Sequence, residues 1–129
     1  QQACLQYKHA CFSMSCMDDL SQLRRGAVEL AVLLLLADGE LYGGALVDAL
    51  AQYRFLVTGR GTVYPMLSRL RSAGLVETTW HESPVGPPRR YYRLTAQGRA
   101  ACQRRSDAWR GLVADLGQIM KNPGKEGTT

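Results

Sequence analysis

Residues 59–76, GRGTVYPMLSRLRSAGLV, decide the fold. Val63, Met66, Leu67 and Leu70 fall at i, i+3, i+4 and i+7, the spacing of a buried helix face, and Gly74 supplies the stop. Proline is tolerated in a first turn, where its missing amide would have no helical partner, so Pro65 predicts a start near Gly61 or Thr62. Arg60, Thr62, Tyr64, Ser68, Arg69 and Arg71 lie off the apolar stripe and form a polar, basic face. Hydroxyls and backbone amides at a helix start suit phosphate oxygens, and guanidinium forks suit phosphates or guanine edges. A short helix with this division has the chemistry to enter a DNA major groove.

Upstream, two further helices are expected. Leu20, Leu23, Ala27, Leu30, Ala31, Leu34 and Leu35 recur at three- and four-residue spacing from Asp18 until Asp38-Gly39, which marks the first helix and its apolar face. After the turn DGELYG, a second short helix runs from Gly44 to about Tyr53 with Leu46, Val47 and Leu50 facing inward. Gly59 and Gly61 break the chain before the basic helix.

Downstream, residues 75–82 (LVETTWHE) partly alternate as a strand, SPVGPP makes a proline-glycine tip, and residues 89–94 (RRYYRL) return as a second strand. The order helix-turn-helix, then hairpin, is that of a winged helix, and Arg89 and Arg90 would bring a basic wing to the phosphate backbone or minor groove. Trp80, Tyr91 and Tyr92 are expected to pack the hairpin, and His81 to be an exposed strand residue without a partner. Thr95 then caps a long last helix in which Cys102, Trp109, Leu112, Val113, Leu116, Ile119 and Met120 make one stripe. A small winged-helix body cannot cover so long a stripe. Pairing with the same helix of a second copy covers it, which predicts a homodimer recognising an inverted repeat.

The fold class that follows is mostly α with a small β hairpin: a winged helix-turn-helix plus a long C-terminal dimerisation helix. The chain divides into a flexible extension at 1–16, a winged-helix domain at 17–95, a dimerisation helix at 96–120 and a flexible tail at 121–129. Its 129 residues, 46% of them hydrophobic, allow one modest core. The net charge of +5 favours a polyanionic partner. Nine basic residues stand against two acidic ones between Thr58 and Arg105, whereas the rest of the chain is net negative. Positive charge is thus concentrated where the fold would touch double-stranded DNA.

Several classes are excluded. The longest apolar run, residues 31–37 (AVLLLLA), is far short of the roughly 20 residues that cross a bilayer, so no membrane span is expected. No signal-peptide pattern opens the chain and Met17 reads as a natural start, so the expected compartment is a reducing cytoplasm and the cysteines are expected as thiols. Cys4, Cys11 and Cys16, with His9 among them, lack the close pairing of zinc sites, so neither a metal nor a cofactor is expected. None of the common catalytic fingerprints is present and the acidic residues are scattered, so no enzyme is expected. The competing function is a winged-helix protein-interaction module without specific DNA binding.

The stretches LRRGAVELAVLLLLADGELYGGALVDAL, GRGTVYPMLSRLRSAGLVET and GPPRRYYRLTAQGR resemble, in order and spacing, the PadR family of bacterial transcriptional regulators. The resemblance covers roughly residues 17–120, and its two motifs, G-T-x-Y-P-x-L-x-R-L and G-P-x-R-x-Y-Y-x-L-T, are specific in combination. It implies a dimeric winged-helix repressor that leaves its operator when a small molecule binds or a cell signal changes, of the short subfamily with one helix after the wing. It also implies DNA contacts at Tyr42 and Gly43, at Thr62, Tyr64 and Pro65, and at Arg89 and Arg90. In some short relatives a tryptophan placed like Trp109 stacks on flat aromatic drugs at the dimer interface; the alternative role for Trp109 is packing that interface. Two positions depart from the family pattern: Gly44 replaces a common aromatic, which is expected to loosen helix two, and Arg60 replaces a common acidic residue, which is expected to raise phosphate affinity.

Overall fold

A computed structural model describes residues 14–122 of the chain, and the side chains from residue 19. The elements are α1 (Met14–Ala37), β1 (Leu41–Tyr42), α2 (Gly43–Ala51), α3 (Arg60–Ser72), β2 (Val76–His81), β3 (Arg89–Leu94) and α4 (Ala96–Lys121). The three strands form one antiparallel sheet in the order β1-β3-β2. The expectations for residues 1–13 and 123–129, including Cys4 and Cys11, lie outside the described residues.

Four features of the elements differ from the sequence expectation. First, α1 begins at Met14, inside the segment expected to be an extension. Second, the core face of α1 is only partly the expected stripe. Of that stripe Leu30 is buried and Ala31 and Leu35 pack against the core, but Val28, Val32, Leu33 and Leu36 are almost completely buried and Leu23 and Leu34 are exposed. Residues 31–37 are apolar all round, so their periodicity cannot select a face and packing against α4, β3 and α2 does so instead. The stripe residues Leu23 and Leu34 form a second, exposed apolar face.

Third, Leu41 and Tyr42 are not merely a turn: they pair with Tyr92 and Tyr91 as a third strand. Two residues are too few to display alternation, so this strand has no sequence signature. Fourth, α3 starts at Arg60 with Gly59 as its N-cap, which puts Pro65 inside the helix. The amide that Pro65 lacks would have met the carbonyl of Gly61, and Gly61 is exposed, so water can satisfy that oxygen.

The buried face of α3 is as expected: Val63, Met66, Leu67 and Leu70 all lie in the core. The helix ends in a Schellman arrangement, with the Leu75 amide donating to the Leu70 carbonyl and the Gly74 amide to that of Arg71. Gly74 adopts φ +78°, the left-handed conformation this ending favours. In α2, Leu46 and Leu50 are fully buried, and the helix is continuous through Gly44.

The hairpin keeps strict register from Val76↔Leu94 to His81↔Arg89. Val76, Tyr92 and Leu94 enter the core, but Trp80 is 62% exposed, contrary to the packing expected of it. It stands opposite the exposed Arg90 near the open end of the ladder, next to the exposed pair His81 and Arg89. At the hairpin base, Thr95 donates its hydroxyl to the Gly74 carbonyl at 2.6 Å and accepts from the Gly98 amide at 3.0 Å. One side chain thereby closes the wing, holds the end of α3 and caps α4.

Candidate nucleic-acid interface

The N-terminal ends of α2 and α3 and the second strand of the wing meet around a cleft of about 520 Å³, lined by Tyr42, Gly43, Gly44, Arg60, Tyr64, Arg89, Arg90 and Tyr92. Six of the residues singled out from the sequence, Tyr42, Gly43, Arg60, Tyr64, Arg89 and Arg90, therefore come together from segments far apart in the chain. The contact between helices is close. A Cβ at Gly43 would stand 2.5–2.6 Å from the ring of Tyr64, so the phenol occupies the space that any larger residue would fill. At Gly44 a Cβ would approach the Tyr42 ring to 3.0 Å, with an Arg60 nitrogen at 3.5 Å, so the small residue chiefly leaves room for the Tyr42 ring.

The remaining polar residues of α3 lie elsewhere. At about 3.6 residues per turn, Arg60 and Tyr64 occupy one flank of the exposed face and Thr62 and Arg69 the other, with Ser68 and Pro65 between them. Thr62 and Arg69 border a separate hollow with Ser21, Arg24 and Arg25 of α1. Arg69 is also engaged: its Nη1 lies 3.5 Å from Oε2 of Glu29, whose Oε1 meets Arg105 of α4 at 2.9 Å. Glu29 therefore draws α1, α3 and α4 together through one carboxylate.

Carboxylates occupy some arginines and spare others. Arg93 pairs across the sheet with Glu77 at 2.9 Å, and Arg110 pairs with Asp107 at 3.2 Å. Among the described residues, Arg60, Arg89 and Arg90 have no carboxylate partner. Arg89 instead lies over the Tyr42 ring, 4.5 Å from its centroid, and Arg90 over the Trp80 indole at 5.0 Å. The cleft consequently keeps three uncompensated positive charges and the Tyr64 phenol at its edge, which is chemistry suited to an extended anion.

Sequence reasoning missed the surroundings of His81. The residue is exposed, yet its Nε2 is 2.8 Å from Oε1 of Glu40 in the turn before β1, and its ring packs edge-on against Tyr91 at 4.6 Å. Thr79 completes the group by donating to the other Glu40 oxygen at 3.3 Å. No sequence signal could have found this partner, because Glu40 and His81 belong to different elements and meet only through the unforeseen β1.

The stripe expected on α4 is present. Trp109, Leu112, Val113, Leu116, Ile119 and Met120 are between 38% and 72% exposed, and the buried residues of α4 end at Ser106. Trp109 and Leu112 also line a hollow of about 500 Å³ with Leu30, Glu29 and Arg105. No helix among the described residues is long and apolar enough to cross a membrane.

Comparison with known proteins agrees with this architecture. The Transcriptional regulator PadR-like family matches residues 32–104, from the end of α1 into α4. A curated transcriptional regulator of Mycobacterium tuberculosis is 39% identical over 84 residues, which cover 64% of this chain and 75% of the relative. A solved PadR family transcriptional regulator from Eggerthella lenta is similar with a TM-score of 0.71 and 32% identity, over 84% of this chain and 97% of that one. A solved PadR-like transcriptional regulator from Bacillus cereus has a TM-score of 0.71 and 27% identity, over 77% of this chain and 96% of the other. With more than half of its length matched and its winged helix reproduced in solved relatives, the chain belongs to the PadR-like family of transcriptional regulators.

Proposed function

We propose that the protein is a cytoplasmic, dimeric repressor that grips an inverted-repeat operator with α3 and the wing and is released from it by a small-molecule effector. The observation that carries the DNA-binding reading is the convergence of Arg60, Arg89 and Arg90 on one cleft without a carboxylate to neutralise them. Tyr42, Gly43 and Tyr64 bring backbone and phenol to the same edge, while Thr62, Pro65, Ser68 and Arg69 cover the rest of the exposed face of α3. Phosphate contacts from the wing and the helix starts fix position, and the exposed face of α3 carries the base contacts.

Dimerisation is supported by the uncovered stripe on α4. The helix has 26 residues, about 39 Å at 1.5 Å per residue, and the body covers only its first part. The second apolar face of α1, with exposed Leu23 and Leu34, extends the surface available to a partner copy. A two-fold pair would set two α3 helices against successive major grooves, about 34–36 Å apart. The hollow beside Trp109 is the proposed place for a flat aromatic effector, with the indole as its stacking surface. Unchanged tryptophan fluorescence and operator affinity across a panel of aromatic compounds would remove the effector from this proposal.

The deciding experiment is selection from random duplexes, followed by affinity measurements for the enriched and a scrambled sequence across a salt series. An enriched inverted repeat bound well above the scrambled control is expected. Weak binding that salt abolishes equally for both duplexes would instead favour a winged-helix protein-interaction module. Charge reversal at Arg60, Arg89 and Arg90 gives the complementary evidence: the DNA reading requires salt-sensitive binding to disappear while the dimer persists.

A further inference from the structure

We propose that Tyr42 and Trp80 are positioning residues of the wing, each supplying a ring face that holds one wing arginine ready for phosphate; the proposal rests on the DNA-binding reading above. Arg89 and Arg90 both border the cleft, but they are consecutive in β3 and their side chains start out toward opposite faces of the sheet, so each has to be oriented by a neighbour of its own. The fold supplies one ring to each. Tyr42 comes from β1 and lies 4.5 Å from the Arg89 guanidinium, and Trp80 comes from β2, directly across the ladder from Arg90, at 5.0 Å.

The chemistry distinguishes this arrangement from an ion pair. Arg93, further along β3 from the tip, is held by Glu77, so its charge is already compensated within the sheet. A guanidinium lying over a ring is held without being neutralised, and its N–H groups are not committed to a carboxylate. Long side chains lose rotamer freedom when they bind, and prior stacking removes part of that loss. The Tyr42 platform is itself supported: Tyr42 meets Tyr91 edge-on at 5.5 Å, and Tyr91 meets His81 at 4.6 Å. Trp80 contributes little to the core, being 62% exposed, so stacking on Arg90 is the contact that accounts for a large aromatic at this position.

The test is a pair of double-mutant cycles read as affinity for the enriched operator duplex, Trp80→Leu with Arg90→Gln and Tyr42→Leu with Arg89→Gln. Each leucine variant is expected to bind about two- to five-fold more weakly, the range of an exposed cation–π contact. Its effect should vanish once the partner arginine is gone, and Trp80→Phe and Tyr42→Phe should recover most of the loss. Equal losses with and without the arginine, or phenylalanine no better than leucine, would overturn the proposal. A measurement without substitution guards against misfolding: in the free wild-type protein the Arg89 and Arg90 side-chain protons should show ring-current shifts, and random-coil positions would also overturn it. Wild-type protein with shifted resonances that binds no duplex would sink the DNA reading and the phosphate role built on it. Operator binding with additive cycles would sink the role of the rings alone.

Discussion

Gly43 shows how one missing side chain can organise an interface. Its backbone lies against the outer end of the Tyr64 ring, and that ring is 41% exposed, so it is free to swing aside. Gly43→Ala is therefore expected to leave the melting temperature nearly unchanged while lowering duplex affinity, because displacement of Tyr64 relieves the clash at the expense of the cleft. Thermal unfolding and a binding titration on the same sample check both halves. Gly98 is the opposite case. A Cβ there would collide with the carbonyl of Leu75, which is backbone and cannot rotate away. Gly98→Ala should accordingly destabilise the fold by about 1–3 kcal/mol, the usual cost of overpacking, read from denaturant midpoints. At this scale residue chemistry and helical spacing, which are local properties, picked out Arg60, Tyr64, Arg89 and Arg90, whereas Tyr42 entered only through the family resemblance. The sequence could not reveal which arginines are compensated: Glu29 and Arg69 are 40 residues apart, and their meeting is a product of packing.

The elements were legible in proportion to the contrast between their faces. In α3 the four core residues alternate with polar ones, and the buried set followed from the spacing alone. In α1 that contrast is lost over residues 30–37, so the helix was evident but its orientation was not, and Leu23 and Leu34 proved to face outward. The start of α3 was displaced because a proline limits a helix only by the hydrogen bond it removes, and an exposed Gly61 carbonyl makes that removal tolerable. Thr95 was readable as a cap from its place before α4, whereas its second bond to Gly74 was not. Thr95→Ala should cost about 1–2 kcal/mol by loss of the cap, and Thr95→Ser, which keeps the hydroxyl, should recover most of it. Urea unfolding of the three proteins separates these outcomes.

For the whole molecule, the sequence order of helices and hairpin was sufficient for the winged helix, and only β1 was missing from it. The apolar stripe of α4 was equally plain, because nothing polar interrupts it at Leu112, Leu116 and Ile119. Leu116→Arg places a charge in the middle of that stripe. It is expected to give a folded monomer by sedimentation and to reduce operator affinity far more than affinity for a single half-site, since a dimer gains from holding both sites at once. Gel mobility with whole and half operators reads the difference. The fastening of the hairpin at its base has a consequence for variation within such molecules. Because Thr95 ties the two ends of the wing to each other and to both adjoining helices, the tip at residues 83–88 is mechanically a free parameter. Replacing the loop at residues 82–88, between the paired His81 and Arg89, with a two-residue Asn-Gly turn should leave the unfolding free energy within about 1 kcal/mol of the parent, because that turn suits the twist of paired strands. The wing can then be treated as an exchangeable cartridge, whose reach is adjusted by length at one end without recalibrating the helices at the other.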